Sequence, residues 1–412
     1  MKNIFIITFL ITVMHSSAFS QSGWFFQNPL PQGNTMNSLF FADDNTGWVV
    51  GKAGTILKTT NGGINWTTQI SGTSYWLSSV HFTDSITGWA AGNDYNLHSG
   101  IILKTTNSGI NWVNQYSSTF FYLNSIYFAD NNSGWAASSG GIFQSTNGGL
   151  NWTPQFGTTY LSSVYFPDNS SNGWAAGMYG KIFQTTNGGV NWLSQVSGTG
   201  NWLYSVYFTD NNSGWTVGDS GKILKTTNGG TNWTTQVSGT NRKLYSVHFA
   251  DNNTGWTVGD NGTIIKTTNS GINWLSQVSG TSKALGSVHF ADNNTGWAVG
   301  DSGTILKTTT GGAIVGVQNM STEIPSGNSL SQNYPNPFNP VTNLEFGIPD
   351  LGFVSLKIYD LLGKEVVTLV NEKLNPGTYR VEFDAGSLTS GVYFYRLTSG
   401  DFMDTKRMLL VK

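Results

Sequence analysis

The sequence predicts an all-β protein: a seven-bladed β-propeller closed by its N-terminal strand, followed by a small antiparallel β-sandwich. The first observation is a G-W-[AVT]-[VA] motif that recurs seven times, at steps of 41, 46, 39, 41, 41 and 41 residues. Its tryptophans are Trp48, Trp89, Trp135, Trp174, Trp215, Trp256 and Trp297. Each period holds four short apolar runs separated by Gly, Asn, Asp and Ser, which is typical of one four-stranded blade.

The two ends of the repeat predict how the ring closes. A second tryptophan, in W-x-x-[QN], marks the last strand of each period and recurs at Trp24, Trp66, Trp112, Trp152, Trp192, Trp233 and Trp274. Its first copy precedes the first blade, whereas the seventh repeat stops before that strand, at Gly311 and Gly312. We therefore expect residues 24–27 to form the outer strand of the last blade, because closure hides strand edges that would otherwise recruit another chain.

One period shows how the strands and turns alternate. In the sixth repeat, residues 244–249 are predicted as the innermost strand, and 255–258, 263–267 and 273–278 as the next three. L-x-S-V-x-F alternates with a period of two, as expected for a strand packed between neighbouring blades. The intervening Asp-Asn-Asn-Thr and Asp-Asn-Gly sequences are turn formers.

The segments outside the ring predict export. Residues 1–20 read as a secretory signal peptide, with Lys2, an apolar run over 4–13 and Ala18-Phe19-Ser20 before Gln21. No segment approaches the roughly 20 apolar residues of a membrane span, so none is predicted. The chain has no cysteine, which excludes disulfides and an acylated cysteine anchor.

A change of composition separates the ring from a second domain. Residues 21–319 contain no Glu and one Arg, Arg242, whereas both types are frequent further on. Strand-like runs at 354–359, 366–369, 379–383 and 392–397 predict a small antiparallel sandwich. We assign residues 21–313 to the propeller, 314–330 to a linker and 331–412 to this second domain.

Blade sequences such as 285–290, 296–300 and 303–309 resemble those of the photosystem II assembly-factor family of seven-bladed propellers. In photosynthetic members this resemblance implies an assembly chaperone for a membrane protein. Residues 226–233 are also similar to the Asp-box (BNR-like repeat) of sialidase-type propellers, with Asn228 at the Asp position. In such propellers the box is a folding element that ties strands three and four.

The last 80 or so residues resemble the type A C-terminal sorting domain of the type IX secretion system of Bacteroidetes-like bacteria. The resemblance is carried by residues 333–340, 358–363, 390–395 and 406–408. It implies that the type IX machinery recognises residues 331–412, exports the protein through the periplasm and outer membrane, and removes the tail. We expect the mature protein outside the cell or on the outer-membrane surface.

The ring lacks the residues that hydrolytic chemistry requires. A sialidase needs an arginine cluster for its substrate carboxylate, and one arginine cannot form it. The aspartates mostly repeat at one template position, which indicates turn formation: Asp43, Asp84, Asp130, Asp168, Asp210, Asp251 and Asp292. We predict that the protein is not an enzyme, and a carbohydrate-active, glycosidase-like propeller remains the alternative.

Metal, cofactor and nucleic-acid sites are not expected either. Three histidines, His81, His248 and His289, share a template slot with tyrosines, which favours a structural role facing the ring. A lone off-template histidine is a poor metal site. With 10% charged residues and a net charge of −2, the chain lacks the basic field that nucleic acid requires.

One template slot departs from the repeat and predicts a binding face. The residue before the first-strand Leu or Met reads, around the ring, Thr35, Trp76, Tyr122, Tyr160, Trp202, Lys243 and Ala284. Four consecutive blades carry a large aromatic side chain there, near the predicted mouth of the channel. An insertion at 93–99 opens on the same face. The predicted binding residues are Trp76, Tyr122, Tyr160, Trp202, Lys243, Asp94, Tyr95 and His98.

Aromatic side chains with a polar group, on a concave face, suit a protein or glycan partner. Packing beneath the long loops is the alternative explanation. The sequence thus predicts a secreted or cell-surface, monomeric, non-catalytic binding propeller, and an adhesin-like or surface-layer role fits it equally well.

Overall fold

The computed structural model describes residues 23–27, 33–119, 121–157, 159–167, 171–312, 318–321, 323–339, 341–385 and 388–411. These residues fall into two compact units, one within Ser22–Val315 and one within Gly316–Lys412. The predicted signal peptide, the turn residue Asp168 and residues 313–317 and 322 lie outside the described residues.

The first unit contains, in its described residues, seven four-stranded antiparallel sheets, which we number blades 1 to 7 from residue 36. The innermost strands are Met36–Phe41, Trp76–Phe82, Leu123–Phe128, Leu161–Tyr165, Leu203–Phe208, Leu244–Phe249 and Leu285–Phe290. The second strands are Gly47–Gly51, Gly88–Asp94, Gly134–Ser138, Gly173–Gly177, Gly214–Gly218, Gly255–Gly259 and Gly296–Gly300. The third strands are Ile56–Thr59, Ser99–Thr105, Gly141–Ser145, Ile182–Thr185, Ile223–Thr226, Ile264–Thr267 and Ile305–Thr308. The outer strands of blades 1 to 6 are Thr67–Gln69, Val113–Thr119, Thr153–Gly157, Leu193–Gln195, Thr234–Gln236 and Leu275–Gln277.

Single 3₁₀ turns join the second and third strands of five blades, at Lys52–Gly54, Met178–Gly180, Asp219–Gly221, Asp260–Gly262 and Asp301–Gly303. In blade 2 the insertion lengthens both strands instead, so that Gly88–Asp94 and Ser99–Thr105 pair up to Asp94 and Ser99.

The N-terminal strand closes the ring, as the sequence predicts. Phe25–Phe26 is the outer strand of blade 7, with Phe25 opposite Lys307 and Phe26 opposite Leu306. Trp24 is 1% exposed, and its ring lies edge-on to Phe290 at a centroid distance of 5.6 Å. The first and last repeats therefore share one sheet.

The G-W tryptophans join each blade to the next. Each ring stacks on the last Phe of the following inner-strand motif at 3.4–3.8 Å between centroids. Each indole N–H also donates to a backbone carbonyl in the Asp-box turn of the following blade. The series closes where Trp297 of blade 7 stacks on Phe41 and donates to the Gly62 carbonyl at 3.1 Å.

The Asp-box turns keep their form with Asn in place of Asp. In blade 5 the Thr226 hydroxyl donates to Asn228 Oδ1 at 3.0 Å, and the same oxygen accepts the Asn232 N–H at 3.0 Å. The Gly230 N–H donates to the Thr226 hydroxyl at 2.8 Å, and Gly230 has a φ of 92° that favours glycine. The amide oxygen thus supplies the acceptor that a carboxylate would provide.

The template aspartates form the turns between the first two strands. In the six described copies, one carboxylate oxygen accepts the N–H groups of the residues two and three positions later. Each is therefore used locally as an Asx turn.

The second unit is a sandwich of two four-stranded sheets. One sheet has the order Gln318–Ser321, Gly377–Asp384, Val341–Ile348, Ser329–Leu330, and the other has the order Glu365–Leu374, Gly352–Tyr359, Gly391–Ser399, Phe402–Leu410. Residues of both sheets share one buried cluster, including Phe346 and Tyr395. Two strands of the first sheet, Gln318–Ser321 and Ser329–Leu330, lie in the segment that the sequence analysis assigned to a linker. Their backbones pair with the neighbouring strands of this sheet.

Candidate functional site

The predicted binding residues lie at one end of the blades. Trp76 begins the inner strand of blade 2, and the other four slot residues directly precede the inner strands of blades 3 to 6. Asp94 ends the second strand of blade 2, and Tyr95 and His98 lie in the turn that follows. Because antiparallel strands alternate in direction, the loops between strands two and three share this face with the loops entering each inner strand.

Blades 2 and 3 contribute a first group of contacting aromatic rings. Tyr95 reaches out of the insertion and lies edge-on to Trp76 at 5.6 Å and tilted against Tyr122 at 5.0 Å. The His98 ring lies 5.8 Å from the Tyr122 ring, and its Nδ1 forms a hydrogen bond with the Tyr122 hydroxyl. The insertion is thus fastened to the next blade.

Asp94 has a local role in this arrangement. Its Oδ1 accepts the N–H groups of Asn96 and Leu97 at 2.9 and 3.1 Å, which shapes the turn that presents Tyr95 and His98. It is therefore a positioning residue of the insertion.

Blades 4 to 6 contribute a second group. Tyr160 and Trp202 meet edge-on at 5.1 Å, Trp202 stacks on Tyr204 at 5.4 Å, and Tyr204 meets Tyr245 at 5.2 Å. The Trp202 indole N–H donates to the hydroxyl of Ser162 at 2.7 Å. We call these two groups together the mouth cluster: Trp76, Tyr95, Tyr122, Tyr160, Trp202, Tyr204 and Tyr245.

The two groups influence each other electrostatically. Burial raises the pKa of Tyr160, and the phenols of Tyr95 and Tyr122 raise it further. Tyr160 also donates to Asn124 Oδ1 at 3.2 Å. The residues of the mouth cluster stand on adjacent blades 2 to 6, and in the described residues no ring contact joins the two groups.

Carboxylates flank the second group. The Tyr204 hydroxyl donates to Asp219 at 2.9 Å, and the Tyr245 hydroxyl donates to Asp260 at 2.7 Å. Lys243 lies 3.6 Å from Asp219 and 6.0 Å from the Tyr204 ring centroid, with its side chain 49% exposed. An exposed ion pair of this kind contributes little to stability, so the ammonium is accessible to a partner.

Sequence reasoning missed Tyr204, Tyr245 and their carboxylate partners. These tyrosines occupy the first variable position of L-x-S-V-x-F, directly after the Leu. Around the ring this position reads Asn37, Ser78, Asn124, Ser162, Tyr204, Tyr245 and Gly286. Variation at that position was the available signal, since the neighbouring Leu, Val and Phe of the motif are buried in every blade.

A second aromatic arrangement lines the channel itself. One side chain from each inner strand takes part in a closed ring, in the order Phe40, His81, Tyr127, Tyr165, Tyr207, His248 and His289. Neighbouring centroids are 4.4–5.6 Å apart. The histidines thus share the ring-facing position of the tyrosines.

This enclosure disfavours charged imidazole. Burial lowers the pKa of His81 to about 4, and burial together with the charge of His81 lowers that of His289 to about 4. The pKa of His248 is lowered in the same way, by burial first and then by His289. At neutral pH the channel ring is therefore uncharged.

A family model described as the photosynthesis system II assembly factor YCF48 matches residues 17–160, 193–286 and 231–333, more than half of the sequence. The chain belongs to this family. A second family model, the secretion system C-terminal sorting domain, matches residues 332–412. No curated protein matches the sequence.

Solved structures of this family share the fold. "YCF48 bound to D1 peptide" has 21% identity and a TM-score of 0.58, covering 70% of this chain and 94% of that chain. YCF48 from Cyanidioschyzon merolae has 22% identity and a TM-score of 0.57, covering 69% and 98%. A likeness of fold alone extends to the extracellular domain of the putative one component system BT4673 from B. thetaiotaomicron, which has 13% identity and a TM-score of 0.56, covering 95% of this chain and 60% of that chain.

The sorting domain marks this YCF48-family propeller for type IX secretion to the cell surface or the extracellular space. Among the residues that the structure describes, no helix is long and apolar enough to cross a membrane.

Proposed function

We propose that the propeller is a secreted or cell-surface binding module without catalytic activity, and that it holds a protein or glycan partner at the mouth cluster. The observation that supports this most is that aromatic rings contact one another in two groups on this face, one on blades 2 and 3 and one on blades 4 to 6. These positions are aromatic only there, so the repeated architecture of the blades does not account for them.

The chemistry of the mouth cluster suits recognition. Its slot residues Trp76, Tyr122, Tyr160 and Trp202 are half-buried and Tyr95 is 48% exposed, so a partner can cover further ring surface. Aromatic rings held by neighbours lose little conformational freedom on binding, and they commonly dominate interface energies. Lys243 and the carboxylates beside it supply a polar rim.

A protein segment is the partner we favour. The solved relative described as bound to a D1 peptide shows that a propeller of this family can hold a peptide. A glycan is the second candidate.

The tyrosine–carboxylate pairs do not favour hydrolysis. Burial raises the pKa of Tyr204 and of Tyr245, and the hydrogen bonds to Asp219 and Asp260 raise it further. A tyrosine that reacts as a resting phenolate would need a lowered pKa instead. Within the described residues, moreover, no three His, Asp or Glu side chains are grouped so that they could hold a metal ion.

Binding can be tested with Trp76→Ala and Trp202→Ala, singly and together. Wild-type protein is incubated with a glycan array and with surface extracts of the organism, and captured partners are identified. We expect the double variant to lose capture by at least about tenfold, or about 1.4 kcal/mol. Ile110→Ala and Ile272→Ala, at exposed positions in turns at the opposite end of the blades, are matched controls and should bind normally. Capture retained by the double variant would refute the site.

Export can be tested separately. A chain ending at Gly312 should fold but accumulate in the periplasm, because the sorting domain is missing. We also propose that the tail is removed on export, so that intact mass spectrometry of protein outside the cell shows a loss of roughly the last 80 residues. Secreted protein that still ends at Lys412 would contradict removal.

A further inference from the structure

The sorting domain presents two adjacent leucines at the tip of one hairpin. The turn joins Gly352–Tyr359 to Glu365–Leu374 and contains Leu361 and Leu362. Their side chains are 70% and 92% exposed, and neither belongs to the buried cluster of the sandwich. The core is therefore complete without them.

The exposed tip is held in a defined conformation. Asp360 Oδ1 accepts the N–H groups of Leu362 and Lys364, each at 2.9 Å, and the Asp360 N–H donates to the Lys364 carbonyl at 3.0 Å. Gly363 donates to the Asp360 carbonyl at 3.0 Å and has a φ of 77°, which favours glycine. These bonds use only backbone groups and Asp360, so the turn would form equally well with polar residues in place of the leucines.

The base of the hairpin is also braced. Lys357 pairs with Glu365 at 2.8 Å, and Glu365 accepts the Thr368 hydroxyl at 2.7 Å. In the described residues Glu365–Leu374 is an edge strand, paired only with Gly352–Tyr359. The outer side of the arm that carries the leucines is therefore open to another protein.

We propose that Leu361 and Leu362 are the contact by which the sorting domain enters an apolar pocket of the type IX export machinery. This rests on the proposed export by this tail. A pair of exposed leucines on a preorganised turn disfavours solubility, and such features mark interaction surfaces. The charges beside them, Asp360, Lys357, Lys364 and Glu365, balance in sign, so the tip lacks the basic character that an anionic lipid surface attracts.

The test uses the full-length chain expressed in a bacterium with a type IX system. Leu361→Ser/Leu362→Ser should lower the ratio of extracellular and surface-bound to periplasmic protein by at least about tenfold. Leu351→Ser is the matched control, since Leu351 is 56% exposed in the turn at the other end of Gly352–Tyr359. It should be exported like wild type, as should Leu361→Met/Leu362→Met.

Wild-type export of the double Ser variant would overturn the proposal. If the chain ending at Gly312 is exported too, the export assignment itself fails, which is a distinguishable result. Thermal unfolding of each purified variant guards against misfolding, and if the double Ser variant unfolds, the single substitutions should each show a partial loss. Leucine-dependent binding to phosphatidylethanolamine vesicles, or leucine-dependent dimers in sedimentation, would assign the tip to a lipid or a second copy and would also overturn it.

Discussion

Two sets of aromatic residues in the same ring have different surroundings. The seven G-W tryptophans are at most 3% exposed and stack face to face on the next blade at 3.4–3.8 Å. Trp76 and Trp202 are half-buried and meet Tyr95 and Tyr160 edge-on at 5.6 and 5.1 Å. A position that is tryptophan in every blade packs one blade against the next. A position that is aromatic in only some blades is not required for that packing.

Substitutions in the two sets should lower the free energy of unfolding by different amounts. Loss of a template contact should weaken the closed ring, because each blade is fastened to the next by the same stack and hydrogen bond. Loss of a mouth residue should mainly affect binding. Three measurements test this difference, from the largest expected effect to the smallest.

Removal of residues 21–30 should have the largest effect. It deletes Trp24, whose indole N–H donates to Gln277 Oε1 at 2.8 Å, and it exposes the edge of Ile305–Thr308. Loss of a buried tryptophan alone costs about 3–5 kcal/mol. We expect a strongly lowered melting temperature by calorimetry and aggregation through the open edge. A monomeric deletion variant with an unchanged melting temperature would show that this strand does not secure the ring.

Acid should destabilise the ring through the channel histidines. Their pKa values are lower in the folded protein than the 6.5 of a free side chain, so the unfolded state binds more protons between pH 6.5 and about 4. The free energy of unfolding is therefore unaffected by these histidines above pH 6.5. It decreases as the pH falls towards 4, by up to about 3 kcal/mol for His81.

Urea unfolding at pH 7.5 and at pH 4.5 measures this effect. The matched variant is His81→Tyr/His248→Tyr/His289→Tyr, because blades 3 to 5 already carry tyrosine in this slot. It should lose less stability than wild type over the same pH interval. An equal loss would mean that acid destabilises the ring through other groups.

The repeated features were predictable because each of them is a local sequence motif repeated seven times. Closure by Trp24 followed from the offset between the first and last repeats, and the pairing of Phe25 with Lys307 confirms it. In the sandwich, Val341–Ile348 was missed although Thr342, Leu344 and Phe346 alternate as buried residues. That strand follows Pro335, Pro337 and Pro340, and because proline has no N–H to donate to a strand ladder, the sequence around them does not indicate a strand.

The geometry of the mouth cluster was less predictable. The sequence assigned Trp76 and Tyr122 to one face, but their link through Tyr95 depends on how the insertion folds back. Trp202 directly precedes the inner strand of blade 5, and its stacking on Tyr204 arises where the strand pairing is irregular between Leu203 and Ser205, which the sequence does not show. Positions shared by all blades can be inferred from the pattern, whereas contacts that arise on one or two blades require coordinates.

The smallest stability effect should follow from Trp202→Ala and Trp76→Ala. Each side chain is only half-buried, so its truncation should cost about 1–2 kcal/mol, against about 3–5 kcal/mol for Trp256→Ala, a template tryptophan that is 0% exposed. The two mouth residues stand on blades 2 and 5 and contact different rings, so their costs should add. Urea unfolding of these three variants and of the Trp76→Ala/Trp202→Ala double variant measures this. A cost at Trp76 and Trp202 as large as at Trp256 would place them in the core, and the mouth cluster would then be packing that supports the loops, leaving the binding face to be sought elsewhere on the ring.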